Sequence, residues 1–551
     1  MDTWRKEHRT IDLHMHLDGT KGGMARAIGI MDRSGLGVGV NLSGGTVTHK
    51  EGEKSALERV KALADGLHPG QFAHYMNLDY AGWDEPDFAE RAARQIEEGH
   101  RLGAAGFKEY KRLGLFLRDR NNQLIKIDDP KLDLMWEKCG ELGMPVSIHV
   151  ADPRAFWLPY DEKNERWIEL KDHKSWWFGD AAKYPPREEL LAALDRVIAR
   201  HPKTTFVCVH FANNAEDLDW VDRKLDERPN MNADLAARVP QLGRHEPAAV
   251  RRIFTKHQDR IFFATDFMVY DKLILGSGGD SDQPTDDDAV TFYEKCWRWL
   301  ETDDRDWAHM TPIQGSWAIN SIKLPPEVLR KIYFDNARRL LARSLPLPTV
   351  AATRITRDFV PDGKLDEAEW GKAQPAHVES QSSTATARPA LSTTVRALWS
   401  SEFLYLGYES PYTNLSVFSP KQAEERIGLW DNDVVEAFIG SEPDRPGKYT
   451  EFEWAPNGEQ LDLILDLPAR DFAWSSGMQS AVTVDENAHI WRVEVRIPMK
   501  ALAATPPQPG ARWRVNIYRH DTASNSGLAF SPTLTNTFHT PARFGWLEFK
   551  E

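Results

Sequence analysis

The stretch TIDLHMH at residues 10–16 decides the fold. Its apolar residues alternate with Asp12, His14 and His16, so a strand here sets both imidazoles on one face. Seven more short β-rich runs follow, at 35–42 (GLGVGVNL), 72–78 (FAHYMNL), 104–110 (AAGFKEY), 145–150 (PVSIHV), 204–211 (TTFVCVHF), 229–235 (PNMNADL) and 261–266 (IFFATD). Between them, residues 53–65, 87–101 and 187–200 place apolar side chains at i, i+3 and i+4, and helical segments at 287–300 and 325–343 complete the series. Eight strands separated by helices predict an α/β class (β/α)8 barrel over residues 1–343. A doubly wound open sheet alternates in the same way, but no GxGxxG follows the first strand.

The texture changes after SLPLPTVAA at 344–352, whose prolines and lack of periodicity mark a linker. Residues 353–551 carry alternating runs at 395–408, 433–439, 450–454, 461–466, 490–497 and 512–518, with Gly, Pro and Asn between them. Strands without helices predict an all-β sandwich. Residues 379–394 (ESQSSTATARPALSTT) are poor in apolar side chains and predict a surface loop.

The 551 residues hold 69 basic and 83 acidic side chains, a net charge of -14. That balance excludes a general nucleic-acid or anionic-membrane binder, which needs excess Lys and Arg. Cys139, Cys208 and Cys296 are scattered, with no CxxC, so neither a disulfide framework nor a thiolate zinc site is expected. No run of 18 apolar residues predicts a membrane span, and no apolar h-region precedes Ile11. A soluble protein is expected, either cytoplasmic or exported with its leader removed; a homo-oligomer is left open. Tryptophan is in excess, at 20 residues, 12 of them before residue 344.

Three polar residues close other apolar runs: His149 after the fifth, His210 after the sixth and Asp266 after the eighth. Strand C-termini of a parallel barrel share one face, so these three converge with His14 and His16 on one pocket able to hold a divalent cation. The alternative is five independent polar residues bonded to neighbouring backbone.

DLHMH at 12–16, SIHV at 147–150, VCVHF at 207–211, ATD at 264–266 and KIYFDNARRLL at 331–341 resemble the amidohydrolase superfamily, in its amidohydrolase-related (family 2) branch. The resemblance implies one divalent metal on His14, His16, His149 and Asp266, with His210 steering substrate as an acid or carbonyl polariser. Zinc is the first expectation, with Mn, Co or Fe(II) open for an imidazole and carboxylate set. Such a cation lowers the pKa of a coordinated water toward ~7. Asp266 can then accept a proton, and His210 can hydrogen-bond a developing oxyanion. In binuclear relatives a lysine at the position of Lys108 is carbamylated; here Lys108 is read as salt-bridged or as an anchor for a substrate carboxylate, and the site as mononuclear. Asp12 is read as fixing the strand.

Residues 151–186 form a long connection bearing Trp157, Trp167, Trp176 and Trp177 among Arg154, Glu165, Arg166 and His173. Coming after His149, it is expected to overhang the metal, with Lys108, Arg154, Trp157, Trp176 and Trp177 binding substrate. A satellite core of its own is the other reading. A second long loop, 267–288, ends in an acidic run.

DGKLDEAEW at 362–370, VRALWSSEFLYLGYES at 395–410, LWDNDVVEAFIG at 429–440 and FHTPARFGWLEF at 538–549 resemble family 9 carbohydrate-binding modules. The resemblance implies a sugar held by Trp430, Glu436 and Phe538, and a structural calcium whose ligands the sequence does not place. A sugar-binding arginine of the family is replaced near Glu453, and Phe538 stands where the family has tryptophan. The combined expectation is a metal-dependent hydrolase acting on a carbohydrate-derived lactone, ester or glycoside-like bond. A non-oxidative decarboxylase anchored by Lys108, Arg112 and Arg154 is the second reading, and a non-catalytic carbohydrate-binding protein the third.

Overall fold

Strand β1 (Ile11–Leu17) is buried along its whole length. It runs parallel to β2 (Val38–Asn41), and the order continues through β3 (Phe72–Met76), β4 (Gly106–Glu109), β5 (Val146–Ile148), β6 (Phe206–Cys208), β7 (Met231–Asp234) and β8 (Ile261–Phe262). Closure falls between β8 and β1, where the Leu13 N–H donates to Phe263 O at 3.1 Å and the Asp266 N–H to His14 O at 2.8 Å. The barrel of this computed structural model, which describes residues 1–422 and 425–551, lies in the first of two compact units, Met1–Leu345 and Pro346–Glu551.

Helices Ala56–Leu67, Phe88–Arg101, Arg187–Arg200 and Asp286–Glu301 occupy the predicted amphipathic stretches. Reciprocal capping by Ser55 with Glu58, and by Thr285 with Asp288, starts two of them. The Asp288 end of the acidic run is therefore a helix start, where carboxylates face free N–H groups. The last helical segment is interrupted by a π turn at Lys331–Asp335. Asn336 just beyond it donates to Gln258 O at 2.7 Å and Ile261 O at 2.9 Å, pinning that segment to β8.

A register shift between Asp12 and Met15 breaks the even alternation of β1. Ile11 and Leu13 pack with Val40, Tyr75, Val207 and Phe262 in a cluster drawn from five strands, a contact available only inside the barrel. His14 and His16 lie above that plug. Beyond Asp266, β9 (Phe267–Val269) pairs parallel to β1, and β10 (Leu273–Leu275) returns antiparallel along β9.

Several predicted strands end earlier in the structure. β6 stops at Cys208 and β8 at Phe262, so neither His210 nor Asp266 belongs to a strand. Both have left-handed backbone: φ is 57° at His210 and 63° at Asp266. Residues 151–186 contain a turn at Arg154–Trp157, a short helix at Trp167–Leu170 and a turn at Lys174–Trp176.

The second unit is a sheet folded upon itself, with strands that are antiparallel except beside Thr349–Arg354. Val435, Ala437, Phe452 and Trp454 from one half meet Val395, Leu406, Trp491 and Val493 from the other, as a sandwich requires. Thr349–Arg354 starts inside the stretch read as linker, because it pairs in parallel with both Gly545–Lys550 and Thr393–Trp399. Residues 395–408, read as one run, are a hairpin of Thr393–Trp399 and Phe403–Pro411. The stretch 379–394 holds the short strand Ser380–Gln381 and the first residues of that hairpin.

Candidate metal centre and substrate cavity

His14 Nε2 and His16 Nε2 stand 3.2 Å apart, and Asp266 Oδ1 is 3.3 Å from each. Hydrogen bonds on the far side of each ring set its tautomer. His14 Nδ1 lies 3.0 Å from the Asp234 carboxylate, which also accepts the His210 N–H at 2.8 Å. His16 Nδ1 lies 2.6 Å from Ser43 Oγ, Ser43 Oγ lies 2.9 Å from Tyr110 OH, and Tyr110 OH donates to Leu42 O at 3.1 Å. That relay needs the proton on His16 Nδ1, just as Asp234 needs it on His14 Nδ1. The two Nε2 atoms and the Asp266 oxygen therefore face one another, a donor set that a divalent cation can take in place of the protons these atoms otherwise share. Burial drives His16 down to about 4, which keeps it neutral and able to ligate. Burial by itself would raise Asp266, but His14, His16 and Lys108 beside it hold it below the usual carboxylate range.

His149 and His210 line the same cavity of about 420 Å³. His149 stands outside the group whose ligand atoms lie within 4.8 Å of one another, which is His14, His16 and Asp266. Its Nε2 is buried without a hydrogen bond, 3.3 Å from Asp152 Oδ1, and its ring meets that of His210 at 4.3 Å. His210 Nδ1 is 2.8 Å from Ala236 O, so the neutral ring carries its proton there and offers Nε2 as an acceptor. Burial pushes its pKa well below the ordinary value, which disfavours the imidazolium needed to donate to an oxyanion.

Asp12 is fully engaged. It accepts the His14 and Thr265 N–H groups at 3.1 Å each, Thr265 Oγ1 at 2.5 Å and Tyr293 OH at 2.8 Å, joining β1 to the segment after β8. Lys108 is buried in the cavity wall, and its Nζ has no hydrogen-bond partner; burial brings its pKa down to about 8. Lys111 by contrast is paired with Asp152 at 2.5 Å, and Arg166 with Glu169 at 2.6 Å. Arg238, another lining cation, lies 3.9 Å from Asp152.

Of the expected lid residues, Trp176 lines the cavity, stacked at 4.1 Å on His173 and 4.8 Å from Lys111 Nζ. Trp157, Trp177 and Arg154 do not. The indole N–H groups of Trp157 and Trp177 donate to Pro185 O and Leu158 O, and these rings pack against the barrel's main core beside Phe178 and Tyr160. Arg154 lines a separate recess with Glu165, Glu216 and Arg244. Arg112 turns to Glu109 and the Tyr80 ring rather than to the cavity. The two long loops are latched together by His173 on Gly278 O at 2.6 Å and by Ser277 on Glu169. Asp234, Ser43, Tyr110 and Arg238 were not picked out from sequence. A signal for Asp234 exists, since it closes a strand run as His149 and Asp266 do.

In the second unit, Trp430, Glu436 and Phe538 line one cavity of about 380 Å³, with Arg470 and His539. Phe538 lies flat on Tyr518 at 4.1 Å, which leaves it one face for a ligand. Asp362, Asp366 and Glu367 also offer three carboxylate oxygens within 4.8 Å, a group where the expected calcium can be sought.

Residues 11–343 match the family model described as amidohydrolase. The chain belongs to the amidohydrolase family. Residues 360–551 of this amidohydrolase match the model of carbohydrate family 9 binding-like domains. Among solved structures, the chain is similar to a putative amidohydrolase from Staphylococcus aureus, at 14% identity and TM-score 0.35, covering 60% of this chain and 99% of that one. A 2,6-dihydroxybenzoate decarboxylase from Rhizobium stands at 14% identity and TM-score 0.33, covering 60% and 98%. A family 9 module from Caldicellulosiruptor kristjanssonii in complex with cellotriose stands at 16% and 0.28, covering 37% and 94%. No helix among the described residues is long and apolar enough to cross a membrane.

Proposed function

We propose that the barrel is a metal-dependent hydrolase acting on an anionic, sugar-derived lactone, ester or glycoside-like bond, with the second unit binding sugar. The observation that carries the reading is the facing of His14 Nε2 and His16 Nε2 onto Asp266, with the other nitrogen of each ring engaged by Asp234 and by the Ser43–Tyr110 relay. A divalent cation held there by His14, His16 and Asp266, with His149 beside them, supplies Lewis acidity and acidifies water. Asp266, kept ionised, takes up a proton and passes it to the leaving group. Lys108, a buried donor without a protein acceptor, hydrogen-bonds the oxygen on which charge develops, the role first expected of His210. His210 accepts a hydrogen bond from substrate at Nε2. The latched loops and Trp176 hold substrate and exclude water.

The decarboxylase reading is favoured by one observation, the cavity cations Lys108 and Arg238, which suit a carboxylate. A pH-stat screen on sugar lactones and uronic esters, run beside CO2 release from aromatic and sugar acids, separates the two. Acid release that disappears in His14→Ala together with one equivalent of bound metal is the expected result. CO2 release with no acid release installs the second reading, and neither activity in metal-replete protein overturns both.

A further inference from the structure

The floor of the sugar cavity in the second unit is acidic beyond what a neutral sugar requires. Glu436 on strand Val434–Gly440 faces Glu453 on Lys448–Trp454, and Glu451 lies two residues from Glu453. Glu436 is 2% exposed and lines the cavity, yet its Oε1 has no hydrogen-bond partner. Glu451 lines the cavity beside it. Among the described residues that line it, Arg470 is the one permanent cation; burial keeps His539 at about 4 and therefore neutral. Two like charges in one buried site destabilise each other unless they are protonated or a cation lies between them.

The walls are of another kind. Trp430, 38% exposed, stands with Phe438, Phe472 and Phe538 around the acids. Aromatic faces above carboxylates suit a cation that has an apolar body, since ring quadrupole and carboxylate both attract positive charge. A bare metal ion fits less well, because the groups among the described residues that bring three ligand atoms within 4.8 Å all lie elsewhere. A neutral sugar can satisfy the free oxygen of Glu436 while the buried acids stay protonated, as burial favours, whereas an ammonium lets Glu436 ionise and pairs with it.

We propose that this cavity binds an amino sugar, with its ammonium on Glu436 and its ring against Trp430. The inference rests on reading the second unit as a sugar-binding module and names the class of sugar that the family resemblance leaves open. Calorimetric titration of the full-length protein with a glucosamine oligomer, its N-acetylated counterpart and a cello-oligosaccharide of the same length tests it. The amine form is expected to bind about tenfold or more tightly than the other two, and to lose that advantage in Glu436→Gln and in Trp430→Ala. Equal or tighter binding of the neutral glucan overturns the amino-sugar assignment while leaving a sugar module. Failure of all three oligomers overturns the module reading itself. Amine binding that survives Trp430→Ala places the sugar ring elsewhere and also overturns the proposal. Trp430 is half exposed, so this variant decides the matter even if Glu436→Gln does not fold.

Discussion

Asp234 governs what His14 can do. Its carboxylate holds the Nδ1 proton of His14 and, through the His210 N–H, the turn that presents His210. Asp234→Asn is therefore expected to weaken divalent-metal affinity about 10–100-fold with little change in far-UV circular dichroism. Chelator competition measures this, and unchanged affinity refutes the role. A second residue-scale expectation concerns Glu451, which burial raises to about 7. Between its ordinary value near 4.5 and 7, the folded form binds more protons than the unfolded form, so this group's contribution to stability is present below 4.5 and is lost as pH rises to 7. Glu451→Gln should then raise the melting temperature at pH 8, by on the order of 1–3 kcal/mol of stability, with the gain vanishing near pH 4.5. A gain that is constant with pH refutes it. His14, His16 and Asp266 were legible because each closes or punctuates an apolar run. Ser43 and Tyr110 were not, because a relay of hydroxyls has no spacing in sequence.

The element that carries His210 is a left-handed turn of four residues, with φ of 57°, 53°, 58° and 57° at His210, Phe211, Ala212 and Asn213. Left-handed backbone costs about 1–2 kcal/mol per L-residue, so surrounding bonds must enforce it. Asn213 does much of this, since its Oδ1 accepts the Val150 N–H at 2.9 Å and the Ala151 N–H at 3.3 Å, next to His149. It thus ties the end of β5 to the turn after β6. Asn213→Ala removes those acceptors and puts a less tolerant residue at positive φ, and should cost about 2–4 kcal/mol in denaturant unfolding. A loss below 0.5 kcal/mol, within the scatter of surface substitutions, would show the turn to be held by something else. None of this was readable beforehand. TTFVCVHF has the β-branched and aromatic content of a strand and no glycine to announce positive φ, so local propensity extended β6 three residues too far. The tryptophans of 151–186 were similarly ambiguous, because only packing decides that Trp176 faces the cavity while Trp157 and Trp177 face their own loop.

At the scale of the whole molecule, each unit has its own core, one built around the barrel and one between the sheet halves. Calorimetry is expected to resolve two transitions, of which chelator lowers the barrel's by about 5 °C and leaves the other in place. A shift of both, or of neither, contradicts a cation confined to the barrel. The chain's periodicities by themselves determined the class and order of these units, because alternation at period two, helical spacing and the change in texture near residue 344 are local properties of sequence. They also marked the polar residues that end apolar runs, His14, His16, His149 and Asp266, as candidates for the site. Only the tertiary structure decided which face His210 offers, that Asp234 backs His14, that Lys108 lacks an acceptor, and that Glu436 and Glu451 line one cavity with Glu453 paired beside Glu436. Those properties belong to atoms brought together from distant strands, and burial and hydrogen-bond partnership exist only once the sheets have closed.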